Sequence, residues 1–174
     1  MRPTVYKDGI LQLRATPGLL RGLVCVLTEE EAAWKPSAKR WSALEVLGHL
    51  GHVELLGFRH RVELMMREEN PKIAPYDPDA FAAAGVFGGR TVSSALDEFE
   101  GEREQSLRFL ESLPPDCTSR TGIHGELGPI TVGNLLHEWP LHDLGHIRQI
   151  AELIRAVKYY PHIGPWQRAY SMNP

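Results

Sequence analysis

Apolar residues recur along most of this chain at intervals of three and four, the period of helices that turn one face to a core. Leu19, Leu20, Leu23, Val24 and Leu27 form the first stripe. Thr16-Pro17 ahead of it has helix-start chemistry, a hydroxyl cap followed by a proline whose missing N–H costs nothing there. The pattern therefore predicts a helix over 17–27, with the residues before Thr16 forming an arm or an extra turn. Thr28-Glu-Glu-Glu31 reads as a capping box that opens a short helical turn ending near Pro36. Ser42-Ala-Leu-Glu45 is a second capping box and opens a long helix over 43–69, closed by Asn70-Pro71. Its inner positions are Val46, Leu50, Val53, Leu56 or Gly57, and Leu64, and Trp41 just before it reads as a hydrophobic plug. Leu96, Phe99, Arg103, Leu107 and Leu110 mark the inner side of a third helix over 92–113, which Pro114-Pro115 ends. Thr131 caps a fourth over 132–158, with Leu135, Trp139, His142, His146, Ile150, Leu153 and Val157 on one stripe. Pro140 lies within that helix, removes one backbone hydrogen bond and predicts a kink just ahead of His142.

Between the second and third helices, prolines and glycines break any long element from 70 to 90, apart from one helical turn over Asp79 to Ala84. A loop of that length within a compact domain reads as a functional lid. Cys117 to Pro129 is turn-rich and fits a short hairpin, and the tail from Pro161, with Trp166 and Tyr170, is expected to drape on the helices. No other stretch has a strand period. The chain reads as all-α, a four-helix bundle in a single domain over 1–174.

Composition narrows the class without changing that picture. Hydrophobic residues make up 43% and charged residues 24% of 174, ordinary for a globular protein. A net charge of −3 with no dense basic patch argues against nucleic acid as a partner. No apolar run approaches the roughly 20 residues of a membrane span. The opening Met-Arg-Pro-Thr-Val-Tyr-Lys-Asp has no apolar core of a signal peptide, so the cytoplasm is the expected compartment. Cys25 and Cys117 belong to no paired-cysteine motif, which implies neither zinc thiolates nor a disulfide framework.

The candidate chemistry lies in the histidines. His142 and His146 are four residues apart, so on a helix their Cβ atoms sit roughly 5–6 Å from one another on one face. That spacing lets two imidazoles reach one ion at about 2.0–2.1 Å. With eight histidines in the chain, roughly 0.3 pairs at this spacing arise by chance, so a third ligand is needed. His49 combines an inward position with mid-helix rigidity and is the best candidate. His52 and His60 read as surface or ligand-orienting residues, His137 falls on another face, and His162 belongs to the tail. Three imidazoles from two helices would bind a first-row divalent ion and leave positions open for water or substrate. The second and fourth helices must then be direct neighbours.

These features together resemble the DinB/YfiT-like superfamily of four-helix metal proteins. The carriers are Thr16-Pro17 with its leucines, Trp41-Ser42, His49-Leu50 with Glu54, Phe99 with Arg103, His124-Gly-Glu-Leu-Gly-Pro-Ile-Thr131, and His142-Asp143-Leu-Gly-His146-Ile-Arg-Gln149. The resemblance spans nearly the whole chain and places the family's metal triad on His49, His142 and His146; Pro140 departs from the family pattern. It implies a bound nickel, zinc, iron or manganese ion and, in many members, a homodimer. Characterised relatives include low-molecular-weight thiol S-transferases and a mycothiol-dependent isomerase, and many others are described as metal-dependent hydrolases.

The leading expectation is an enzyme that activates a small thiol or water on the ion for attack on a small electrophile. His52, Glu138, Asp143 and Gln149 are the candidates to orient ligands, although each also fits a plain helix-surface position. The alternatives are a metal-dependent hydrolase and a non-catalytic metal-binding stress-response protein. An open cleft leading to the ion would favour an enzyme, and a closed site a structural ion. Glu54 and Arg103 both fall on inward stripes and are expected to pair across the second and third helices, because either left alone in the core is strongly unfavourable.

Overall fold

The computed structural model describes the backbone of residues 4–174 and the side chains from Asp8 onward. Residues 1–3, which open both the expected arm and the stretch compared with a signal peptide, lie outside what is described.

Four long helical segments make the bundle. The first, α1, spans Thr4–Val24 and is followed by the short α2, Glu29–Ala33. The second begins as α3 (Ala43–Val53), widens into a π-helical segment at Glu54–Arg59, and ends as α4 (His60–Arg67). After the short α5 (Pro78–Ala83) comes α6, Val92–Ser112. The last, α7, runs over Val132–Ile154 and passes into a second π segment at Arg155–Tyr159. Capping boxes at Thr28, Ser42, Thr91 and Thr131 open α2, α3, α6 and α7. No helix among the described residues is long and apolar enough to cross a membrane.

The start of α1 differs from the expectation at Thr16-Pro17. Thr16 is buried in mid-helix, where its Oγ1 donates to the Gln12 carbonyl at 3.1 Å instead of capping a new helix. Pro17 lies inside α1, so the Leu13 carbonyl has no donor four residues on. That carbonyl accepts instead from Arg103 Nη1 at 2.8 Å. In α7, likewise, the helix continues through Pro140, and the Leu136 carbonyl beside it faces Gly9 of α1.

Packing runs α1 against α6 and α7, and α3 against the same two, so α1 and α3 lie diagonally across the bundle. Long connections make this order possible: α2 and its flanks between α1 and α3, and a small sheet between α6 and α7. The sheet corrects the expectation of no strand outside a hairpin. In it β2 (Thr121–His124) and β3 (Gly128–Thr131) form the hairpin, and β1 (Lys72–Ile73), from the proline-rich loop, pairs parallel with β2. A two-residue strand has no period to read, so its partner alone defines it.

The π segment also corrects the inner face of the second helix. One extra residue per turn shifts the phase, so Leu55 and Leu56 are exposed while Phe58, Val62 and Met65 are buried and Leu64 only partly so. The core divides into two apolar clusters. One contains Leu13, Phe58, Leu107, Leu110, Leu135 and Trp139; the other contains Leu20, Val46, Leu50, Phe99, Ile150 and Leu153. Between them along every long helix lies a buried polar level: Thr16, Glu54, Arg103 and Asp143.

Candidate metal centre

Arg103 makes all five guanidinium donor hydrogens count. Nε and Nη2 donate to Glu54 Oε1 and Oε2 at 2.8 Å each, and Nη1 and Nη2 to Asp143 Oδ2 and Oδ1 at 2.6 and 3.0 Å. The fifth goes to Leu13 O. Trp139 Nε1 donates to Glu54 Oε2 at 2.9 Å, and the Arg103 cation stands 4.8 Å from the centre of the Phe99 ring. Burial, the largest influence, works against the Arg103 charge, but Glu54 and Asp143 outweigh it and the proton is held more tightly than usual. Asp143 therefore belongs to this network, not to a helix surface or to the orientation of a ligand. Its Cα follows that of His142, and its phase on α7 matches Trp139 four residues earlier, the one signal in the sequence that could have placed it inside.

One level away, His49 of α3 meets His142 and His146 of α7. His49 Nε2 lies 3.1 Å from His142 Nε2, which lies 3.2 Å from His146 Nε2, and the three residues offer ligand atoms all within 4.8 Å of one another. With bonds of about 2.1 Å, ligand nitrogens stand about 3.0 Å apart at a right angle and about 3.4 Å apart at a tetrahedral angle. Both separations, 3.1 and 3.2 Å, fall in that interval. Burial holds all three rings neutral. It pushes His49 down to about 2, with the charges of His146, His142 and His52 adding to the effect. It pushes His142 down to about 3, with help from His146 and Arg103. It also lowers His146, against the opposing pull of the Gln149 hydrogen bond and of Asp143.

The donor set fits a divalent transition ion. Neutral imidazoles that crowd their Nε2 atoms together cannot satisfy three lone pairs with one another, whereas a single cation accepts all three. Gln149 Oε1 accepts from His146 Nδ1 at 2.9 Å, which leaves the Nε2 lone pair of that ring directed at the cluster. Nδ1 of His49 and of His142 is buried with no hydrogen-bond partner among the described residues, so those rings are held by packing alone. Trp41 is that packing on one side: its ring centre is 4.9 Å from His49 and 6.3 Å from His146, stacked on the latter. Phe87, from the 70–90 loop, sits edge-on to His49 at 5.2 Å, and Phe58 edge-on to His142 at 5.3 Å. The loop can come this close because residue 48 is glycine; a Cβ there would stand 2.5 Å from the Phe87 carbonyl oxygen.

The remaining sequence candidates fall elsewhere. His52 Nδ1 is hydrogen-bonded to the Tyr76 hydroxyl at 2.7 Å and does not touch the three histidines through any polar contact. Glu138 is exposed on the wall of the adjoining cleft, with no hydrogen bond to the cluster. His60, His137 and His162 are exposed. Sequence reasoning missed Tyr76, Arg61 and His124 as neighbours of the site: a turn-rich loop carries Tyr76, a strand paired with the two-residue β1 carries His124, and Arg61 lies on α4 beyond the π segment.

Two clefts reach the cluster from solvent. One, of about 460 Å³, runs between α3, α4, the sheet and α7 and is lined by His49, His142 and His146 together with Arg61, Tyr76 and His124. The other, of about 780 Å³, opens on His142 and His146 beneath Lys39, Arg148 and the C-terminal residues. The site is thus not closed over by side chains.

Known proteins resemble this chain in sequence and fold. A protein of Oceanobacillus iheyensis named as a candidate metal-dependent hydrolase is 25% identical over 151 residues, 87% of each chain. The structure of YfiT from Bacillus subtilis, described as a candidate metal-dependent hydrolase with an unusual four-helix bundle topology, superposes with a TM-score of 0.79 at 25% identity, over 87% of this chain and 86% of that one. TT2238, described as a four-helix bundle protein, superposes with a TM-score of 0.58 at 15% identity over 83% of this chain and 97% of its own, a likeness of fold alone. The DinB superfamily profile matches residues 12–150, which contain all three histidines, the buried ion network and the sheet, and the chain belongs to that superfamily.

Proposed function

We propose that this protein is a metal-dependent enzyme in which His49, His142 and His146 hold a divalent transition ion, and the adjoining cleft presents a small electrophile to water or a low-molecular-weight thiol. The observation that carries the reading is the convergence of three neutral Nε2 atoms at a site open to solvent. Zinc, nickel, iron and manganese all suit imidazole ligands. A bound ion of this kind supplies Lewis acidity, lowering the pKa of water or thiol and drawing electron density from a substrate oxygen.

The chain's own residues do the rest. Gln149 fixes the His146 tautomer, and Trp41, Phe58 and Phe87 hold the rings and exclude water from their backs. Glu138, one turn before His142 and on the cleft wall, is the carboxylate we assign to receive the nucleophile's proton and return it to the leaving group. The names of the relatives support hydrolysis, with water as nucleophile. The second cleft, meeting the first at His142 and His146, gives room for two reactants and supports transfer to a thiol.

The test joins metal analysis to turnover. Protein loaded with each metal is assayed on esters and epoxides with and without added thiol. Activity should vanish on chelation and return with the metal. Glu138→Gln should keep its metal and lose about 10²–10⁴-fold in rate. His146→Ala should lose metal while keeping its helical circular dichroism. Full metal occupancy in that variant would exclude this ligand set. Loaded protein that turns over nothing in the panel would place the chain among non-catalytic metal binders.

A further inference from the structure

Two hydrogen-bond donors that line the 460 Å³ cleft have no acceptor that accounts for them, and adjacent residues of one backbone stretch hold both. The first is His124 on β2. It is buried, and its Nδ1 accepts the backbone N–H groups of Glu126 and Leu127 at 3.2 and 3.3 Å. A ring nitrogen that accepts cannot carry the proton, so the proton is on Nε2. The Nε2–H has no acceptor among the described residues. The second is Arg61 on α4, half-buried in the same cleft. One N–H, on Nη2, donates to the Ala74 carbonyl at 3.1 Å; the fork has no other hydrogen bond and no ion pair among the described residues. Burial works against its charge, and Glu138 supports it only through space.

The two are brought together by one short stretch of backbone. Ala74, which holds Arg61, directly follows Ile73, which pairs with His124 between β1 and β2. The N–H of Gly125 closes the same junction on Ile73 O at 3.0 Å. Val53, Phe58 and Leu135 give the same cleft apolar lining, and His142 and His146 line it too.

Resting on the metal-enzyme reading above, we propose that Arg61 and His124 form a carboxylate-binding subsite, and that the substrate is a small carboxylic acid with an apolar body. A planar fork matches a carboxylate. The His124 Nε2–H adds a directional donor, and the apolar wall takes the rest of the molecule. A substrate anchored there by its carboxylate extends its other end toward the three histidines.

The test uses butyrate, with butyramide as its neutral counterpart, titrated calorimetrically into zinc-loaded and metal-free full-length protein. Butyrate should bind more tightly than butyramide in both forms. Arg61→Met should weaken butyrate about ten- to a hundredfold, leave butyramide unchanged and retain its zinc. A preference for butyrate that survives Arg61→Met and disappears on metal removal would put the carboxylate on the ion and overturn the proposal. Equal binding of butyrate and butyramide would overturn it too. If zinc fails to bind at all yet the metal-free protein prefers butyrate through Arg61, the subsite stands and only the metal reading falls. Should Arg61→Met not fold, long-range ¹H–¹⁵N spectra of the unmodified protein decide. They should show His124 protonated at Nε2 and shifted by butyrate but not by butyramide. Protonation at Nδ1, or no shift, would overturn the assignment.

Discussion

Replacing Arg103 with methionine should bring this bundle to the edge of unfolding, and the structure says by how much. The guanidinium is 1% exposed and donates to Glu54, Asp143 and the Leu13 carbonyl. Methionine fills much of the volume and donates nothing. Breaking a buried ion pair by removing one partner costs about 3–5 kcal/mol, and here one deletion leaves two carboxylates without their cation. Trp139 still donates to Glu54, which softens only one of the two losses. A loss of about 5 kcal/mol or more follows, against a total stability of about 5–15 kcal/mol for a domain. Urea unfolding followed by far-ultraviolet circular dichroism measures it. The triple variant Arg103→Met with Glu54→Gln and Asp143→Asn should recover at least half the loss, because stranded charge, not lost packing, is the cause. A single variant within about 1 kcal/mol of the parent would refute the reasoning, given the mutational costs expected for such a site. So would a triple variant no more stable than the single one.

Three further outcomes are expected of the same fold. Metal-free protein should lose stability as pH falls below about 6.5, because His49 and His142 are held down to about 2 and about 3 in the fold and the unfolded chain takes up their protons first. The sign is a loss on acidification, about 2 kcal/mol per ring by pH 5; an unchanged urea midpoint between pH 7 and pH 5 would contradict it. Gln149→Leu removes the side-chain acceptor of His146 Nδ1 and should weaken metal binding about 10–100-fold, read by competition with a chromophoric chelator, with unfolding little changed. Gly48→Ala drives a methyl group into the Phe87 carbonyl and should cost about 1–3 kcal/mol while loosening the 70–90 loop, visible as faster amide exchange around Phe87.

Much of this was legible in the sequence because helices and their caps are local. Ser42 and Thr131 announce their helices, and the four-residue spacing of His142 and His146 on an apolar stripe points to where a third histidine should meet them. What could not be read depends on geometry between segments. Thr16-Pro17 has the residues of a helix start, yet Thr16 bonds backward to Gln12 because Leu13 and Ile10 extend the apolar face upstream. The π segment leaves no mark on periodicity until its consequence, Phe58 buried in place of Leu56, is seen. Asp143 looked like a neighbour of the ion, and only the approach of α6 turns it to Arg103. Tyr76 and His124 are uninformative by position, since a parallel pairing of two residues joins their segments beside the cleft, and Arg61 lies on α4 beyond the π segment.

Pro17 and Arg103 are each, taken separately, a fault: a proline in the middle of a helix, and a charged side chain in the core. Together they cancel. The proline leaves one carbonyl of α1 without its helical donor, and that carbonyl takes the guanidinium hydrogen that the two carboxylates leave over. An acceptor of this kind exists at a single height on α1, so the arginine also sets how far α1 may slide along α6. The two positions should therefore change together through descent: a lineage that restores a helical donor at 17 gains a competitor for the carbonyl of Leu13, and one that loses the arginine has a proline with no remaining purpose.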